Sequence, residues 1–176
     1  MAYQSASSGS FWSRTSDVGR LVVGILLTLL VGYAGLVFAP TLGLASFWPY
    51  ASIWAAIGWG ASRVSMKPVL ALIFLGTALD LAVDAPLGCW AAINLIAYLI
   101  ASIFRRRAQT DPSGFVRFMG DLSALLAAFL FARWIIGSYL GGMETQSILG
   151  GFLTTAILYL PMRPLYLLTR TERVDG

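Results

Sequence analysis

Six apolar runs, separated by short polar or turn-forming stretches, account for nearly the whole chain. The first is unbroken from Leu21 to Phe38, 18 residues without a charge. A spanning helix needs roughly 20 mostly apolar residues, so runs of this length read as membrane helices rather than as half-buried strands, which would alternate. The predicted spans are 20–38, 42–61, 68–83, 87–104, 121–140 and 148–168. They form one membrane domain over 20–170, between a polar tail at 1–19 and a short tail at 171–176. Ala39-Pro40-Thr41 is expected to end the first span, and Asp84-Ala85-Pro86-Leu87-Gly88 to turn the chain between the third and fourth. Pro68 falls where the first residue of a helix would. The second run contains Pro49 with Trp48, Trp54 and Trp59, and its unbroken part is short. The last run is interrupted by Pro161 and Pro164.

The polar positions between the runs orient the chain. With six spans and the N-terminus inside, Arg14, Arg20, Arg63, Lys67, Arg105, Arg106, Arg107, Arg117, Arg170 and Arg173 all fall on the inner side, with Arg163 near the inner end of the last span. The outer loops, 39–46, 84–87 and 141–147, hold Asp84 and Glu144 but no Lys or Arg. Basic residues concentrate on the cytoplasmic side of membrane proteins, so the expected topology has both termini in the cytoplasm. If the second run did not cross, Arg63 and Lys67 would lie outside and the separation would be lost. The polar segment before the first run resembles a signal-peptide flank, but the run is longer than a signal core and further runs follow, so a retained helix is expected.

Composition agrees: 58% of the 176 residues are hydrophobic and 11% charged, against about a quarter charged in soluble domains. The net charge of +4 is spread between apolar runs and so serves topology rather than nucleic-acid binding. There is no histidine, and Cys89 is the single cysteine. Disulfides within the chain are excluded, and neither a metal site nor any other cofactor is expected. With no histidine base beside a Ser or Thr and no Gly-rich phosphate loop, an enzyme is not expected.

Two charges fall inside predicted spans. Asp80 lies 12 positions after Pro68 and Arg133 12 after Asp121, so both sit roughly 18 Å along helices that start on the inner side. An unpaired charge near the bilayer centre costs about 2.5–3.5 kcal/mol on insertion scales. Three readings follow: an ion pair fixing the third and fifth spans, Arg133 reaching outward to the interface near Trp134 and Tyr139, or a functional role as a relay, a ligand counter-ion or a contact for a partner's membrane helix. Gly137 and Gly141, and Ala97 and Ala101, have the spacing that lets helices approach closely. Arg105-Arg106-Arg107 ends the fourth run and can also meet anionic lipid headgroups.

The stretch Leu75 to Phe104 carries a family resemblance. It holds Gly76-Thr-Ala-Leu-Asp80-Leu81, then Asp84-Ala-Pro86-Leu87-Gly88, then Ala97-Tyr98-Leu99 ahead of the three arginines. This is similar to the core of the MreD family, with its Gly-x-x-x-Asp-Leu helix end, Pro-Leu-Gly-like turn and Ala-Tyr-Leu helix ending in basic residues. Pro49, and the segment from Pro161 to Leu168 followed by Arg170, also match. The resemblance implies a non-enzymatic membrane subunit of the bacterial cell-elongation complex, in the inner membrane. It implies partners: the bitopic protein MreC, the peptidoglycan glycosyltransferase and transpeptidase pair, and indirectly MreB, alongside membrane lipids. It implies as well a fold shared with the substrate-binding subunits of vitamin transporters. The first span lacks the Ala-xxx-Ala docking motif of those subunits and offers Gly35 and Ala39 at that spacing. A small-molecule carrier, motivated by Asp80 and Arg133, is the alternative.

Overall fold

The computed structural model describes residues 16–62, 65–110, 114–139 and 145–168. The tail with Arg14, Arg63 of the second inner segment, the Gly141-to-Glu144 turn, and Arg170 and Arg173 lie outside them. Among the described residues the chain is all-helical: α1 (Asp17–Thr41), a 3-10 turn (Ala45–Phe47), α2 (Ala51–Gly60), α3 (Met66–Ala82), α4 (Cys89–Thr110), α5 (Gly114–Tyr139) and α6 (Thr145–Tyr166). Four of these, α1, α4, α5 and α6, are long and apolar enough to cross a membrane, which is the make-up of a membrane protein.

Helix ends depart from the ends of the apolar runs. α1 starts earlier, where the Ser16 hydroxyl accepts from the Gly19 amide at 3.2 Å, and it continues through Pro40 to Thr41. α4 runs past the three arginines to Thr110, and α5 begins at Gly114 rather than Asp121. Most of the expected polar connector at 108–120 is therefore helix. An apolar run marks where the solvent is lipid, whereas a helix continues into water as long as its backbone bonds do. α6 also continues through Pro161 and Pro164; a proline is tolerated in a membrane helix because neighbours satisfy the freed backbone groups.

The largest departure is the second run. It is not one helix: the 3-10 turn and an extended stretch at Trp48 precede α2, which has only ten residues. Pro49 has no N–H to donate and disfavours helix at the residue before it. At 1.5 Å per residue α2 is about 15 Å long, half the hydrocarbon thickness. Yet every one of its residues is buried, and it touches all five other helices. Its small residues permit this. A Cβ at Gly60 would stand 2.5 Å from the Tyr98 carbonyl oxygen of α4, and one at Gly58 2.5 Å from the Tyr166 Cβ of α6.

α1 is the opposite case. Of its 25 residues only Arg20, Gly24, Thr28 and Ala39 are buried. The first three recur every fourth position and so lie on one face. Gly24 lets the Trp59 ring of α2 approach closely, and the Thr28 hydroxyl is 3.2 Å from that of Tyr166. Leu26, Leu30 and Tyr33 point away from the protein. Exposed apolar side chains at this density suit a lipid solvent and not water.

Candidate functional site

The residues from Gly76 to Gly88 that carry the family resemblance meet at the corner between α3 and α4. Gly76 faces the start of α4, where an added Cβ would collide with the backbone of Ala91. One helical turn later the Asp80 side chain is completely buried. Its two carboxylate oxygens accept from the amides of Gly88 at 2.8 Å and Trp90 at 2.9 Å. Those amides are orphans of the α4 N-terminus. Gly88 has no side chain with which to cap its own helix, and Asp80 does so from the preceding helix, where the dipole also favours an acidic group.

The turn itself is built from the same residues. The Ala85 amide donates to the Asp80 carbonyl at 2.9 Å, closing α3 in a Schellman-type end, with Asp84 in the left-handed position at φ 54°. Gly88 has φ 92°, a conformation that strains any side chain. Leu81, Asp84, Pro86 and Leu87 are exposed around this turn, the two leucines each 71%. Gly76 and Asp80 are thus the hidden half of the motif, and Leu81, Pro86 and Leu87 its visible half.

Arg133 is not brought to Asp80. It sits on α5 with an exposed side chain, while α4 packs between α3 and α5, which do not touch. Asp80 finds its partners in backbone amides eight and ten residues along the chain. Asp121 instead forms an ion pair with Arg163, at 3.1 Å, joining α5 to the last turns of α6 beside Tyr159. Sequence reasoning placed both at inner helix ends without pairing them; their common depth was the available signal. Of the close-approach spacings, Ala97 and Ala101 are buried on α4, with Ala101 against Gly60. Gly137 has nothing within 4 Å, and Gly141 lies outside the described residues.

A second constellation was not foreseen. α6 satisfies the backbone groups that the break at Pro49 leaves open. The Thr155 hydroxyl accepts from the Tyr50 amide at 2.8 Å and donates to Gly151 within its own helix. The Thr154 hydroxyl lies 2.6 Å from the Phe47 carbonyl, and the Thr155 carbonyl accepts from the Trp54 indole at 2.8 Å. Gly150 and Gly151 give the room, because a Cβ at either would run into the 3-10 turn or the Tyr50 ring. The Trp48 indole donates to the Val31 carbonyl of α1 at 2.9 Å. The sequence signal was Gly150-Gly151-x-x-Thr154-Thr155 in one run and an interrupting proline in another.

No group of three His, Cys, Asp or Glu side chains among the described residues could hold a metal ion. At both constellations the polar side chains serve the backbone, so what the arrangement does chemically is fix irregular structure inside an apolar medium. Comparison with protein-family models, with curated proteins and with solved structures finds no match for this chain.

Proposed function

We propose that the chain is a non-enzymatic, multi-pass subunit of the bacterial cell-elongation complex, of the MreD kind, which supports peptidoglycan synthesis through protein contacts. The observation that carries the reading is the α3–α4 corner. Gly76, Asp80 and Gly88, three points of the resemblance, interlock as one structural unit, and Leu81, Pro86 and Leu87, three more, form an exposed apolar knuckle. A buried carboxylate spent on two amides suits a scaffold that holds a surface in shape. It does not suit a counter-ion waiting for cargo, which weighs against a small-molecule carrier.

The topology proposed with this function is six crossings with both ends in the cytoplasm of the inner membrane. Lys67, Arg105 to Arg107, Arg117 and Arg163 then gather on one side and the corner faces the other. The second crossing is made by the 3-10 turn, the extended stretch and α2 together. Laid end to end they reach at most about 31 Å, enough for the hydrocarbon layer. Irregular backbone at that depth requires burial in protein, and α6 with its threonine pair supplies it.

The test is affinity purification from detergent of the tagged full chain, in a rod-shaped bacterium that encodes it, combined with depletion. The expected result is co-purification of MreC or the synthase pair, and rounding of cells on depletion. Purification without any of these partners, together with normal rods on depletion, overturns the reading. A thermal-shift screen with vitamins and metal ions addresses the carrier reading, because a specific ligand must raise the melting temperature.

A further inference from the structure

The ends of α2, α4, α5 and α6 that carry most of the described basic residues enclose a cavity of about 300 Å³. This is at the lower limit of ordinary ligand pockets. Its charged lining is Arg105, Arg117, Arg163 and Asp121. Even with Asp121 ionised, the balance is two positive charges. Asp121 is occupied on one side by the Arg163 guanidinium at 3.1 Å, and the buried Arg163 Nε has no hydrogen-bond partner. Arg117 is exposed on α5 and Arg105 half-buried on α4, so their guanidinium groups approach the cavity from two helices. Apart from Ser62 and Gly120, the rest of the wall is apolar, from Ala61, Ala101, Phe104, Leu167 and Leu168.

The site is held in place by its neighbours. The Ser62 hydroxyl donates to the Gly58 carbonyl and accepts from the Leu168 amide, both at 2.8 Å, which ties the end of α2 to the segment after α6. An Arg20 guanidinium nitrogen donates to the Leu167 carbonyl at 3.0 Å, adding α1 to the same level. Gly120 allows α5 to close on Phe104 of α4. These contacts hold the wall in addition to the Asp121–Arg163 ion pair between α5 and α6.

We propose that this cavity binds a phosphate group. Guanidinium groups present planar forks of N–H donors that match phosphate oxygens, and they stay charged at all relevant pH values. Arg117 and Arg163 between them already offer more donors than Asp121 can accept, and Arg105 adds a third positive charge to the wall. The apolar wall beside them suits the glycerol and upper acyl portion of an anionic phospholipid. A soluble phosphate would use the arginines alone, and the experiment separates these two sources.

Full-length protein is delipidated in a neutral detergent, and binding of phosphatidylglycerol and phosphatidylcholine is measured by native mass spectrometry. Inorganic phosphate is tested by thermal shift on the same preparation. Two variants are compared, Arg105→Gln with Arg117→Gln, and Lys67→Gln with Arg106→Gln. Both remove two positive charges, but neither Lys67 nor Arg106 lines the cavity. Asp121 and Arg163 are retained so that the ion pair survives, and melting in phosphatidylcholine checks that both variants fold. At about fivefold per basic residue, the cavity variant is expected to bind phosphatidylglycerol about 25-fold more weakly. The control variant should change less than about threefold. A matching loss of the inorganic phosphate shift in the cavity variant alone assigns a soluble phosphate; loss for phosphatidylglycerol alone assigns a lipid headgroup. Equal losses in the two variants overturn the proposal, as does phosphatidylcholine binding as tightly as phosphatidylglycerol with no effect of inorganic phosphate.

Discussion

α1 and α2 are both strongly apolar, yet one lies on the outside of the protein and the other at its centre. α1 has 25 residues, four of them buried; α2 has ten, all buried. In water both helices would be drawn inward by their apolar side chains. In lipid, apolar side chains gain nothing from leaving the solvent, so packing and hydrogen bonding decide position. α1 carries Leu and Val around most of its circumference; its fully buried positions are Arg20, Gly24, Thr28 and Ala39, with Leu21, Ile25, Leu27 and Val31 half-buried beside them. α2 reads Ala-Ser-Ile-Trp-Ala-Ala-Ile-Gly-Trp-Gly, with small residues on every side, so that helices can approach from all directions. The lesson is that glycine, alanine and hydroxyl positions mark the inside of this protein, while leucine density marks its outside.

That contrast can be broken most sharply with a pair of glycines. Gly60→Ala places a Cβ against the α4 backbone and is expected to cost about 3 kcal/mol, at the high end for overpacking. Gly32→Ala on α1 meets nothing within 4 Å and should leave stability unchanged or raise it by up to about 1 kcal/mol through helix propensity. Reversible unfolding in mixed micelles reads both. If the two substitutions cost the same, the assignment of inside and outside is wrong.

The two aspartates at the end of α3 give the same contrast for polar groups. Asp80→Ala removes the acceptor for two amides at the start of α4, and a loss of about 3 kcal/mol is expected. Asp84 is exposed and left-handed, so Asp84→Gly should be neutral or gain up to about 1 kcal/mol by relieving its backbone conformation. Thermal melting of the two variants in detergent compares them directly.

Two smaller effects sharpen the picture. Thr155→Val keeps the shape of α6 but leaves the Tyr50 amide without its acceptor, for an expected loss of about 2 kcal/mol. Hydrogen exchange should rise at Tyr50 in this variant and remain unchanged in α1. Leu30→Ala, at a position 66% exposed on α1, should shift unfolding by less than about 0.5 kcal/mol.

The six apolar runs located the six described helices, and four of these have the length and composition that a membrane crossing demands. What they could not locate were the helix ends, since polar residues continue a helix as well as apolar ones do. Nor did they give the interior of the second run. Pro49 signalled a break, but the groups that make the break tolerable, Thr154 and Thr155, lie about a hundred positions away on α6. At the candidate site the family motif was readable, while the role of Asp80 was not. Its partners are main-chain amides, which leave no mark in the sequence, so a search for a charged partner led to Arg133 on a helix that α3 never touches.

The proposed topology requires a half-length helix to complete a membrane crossing, with α6 satisfying the broken backbone before it. The direct measurement is labelling of single cysteines in a Cys89→Ser background with a membrane-impermeant maleimide on intact and permeabilised cells. Leu44→Cys precedes the broken segment and Lys67→Cys follows it, and both positions are exposed. The account predicts that Leu44→Cys labels from outside and Lys67→Cys only after permeabilisation. Labelling of both from the same side would contradict it.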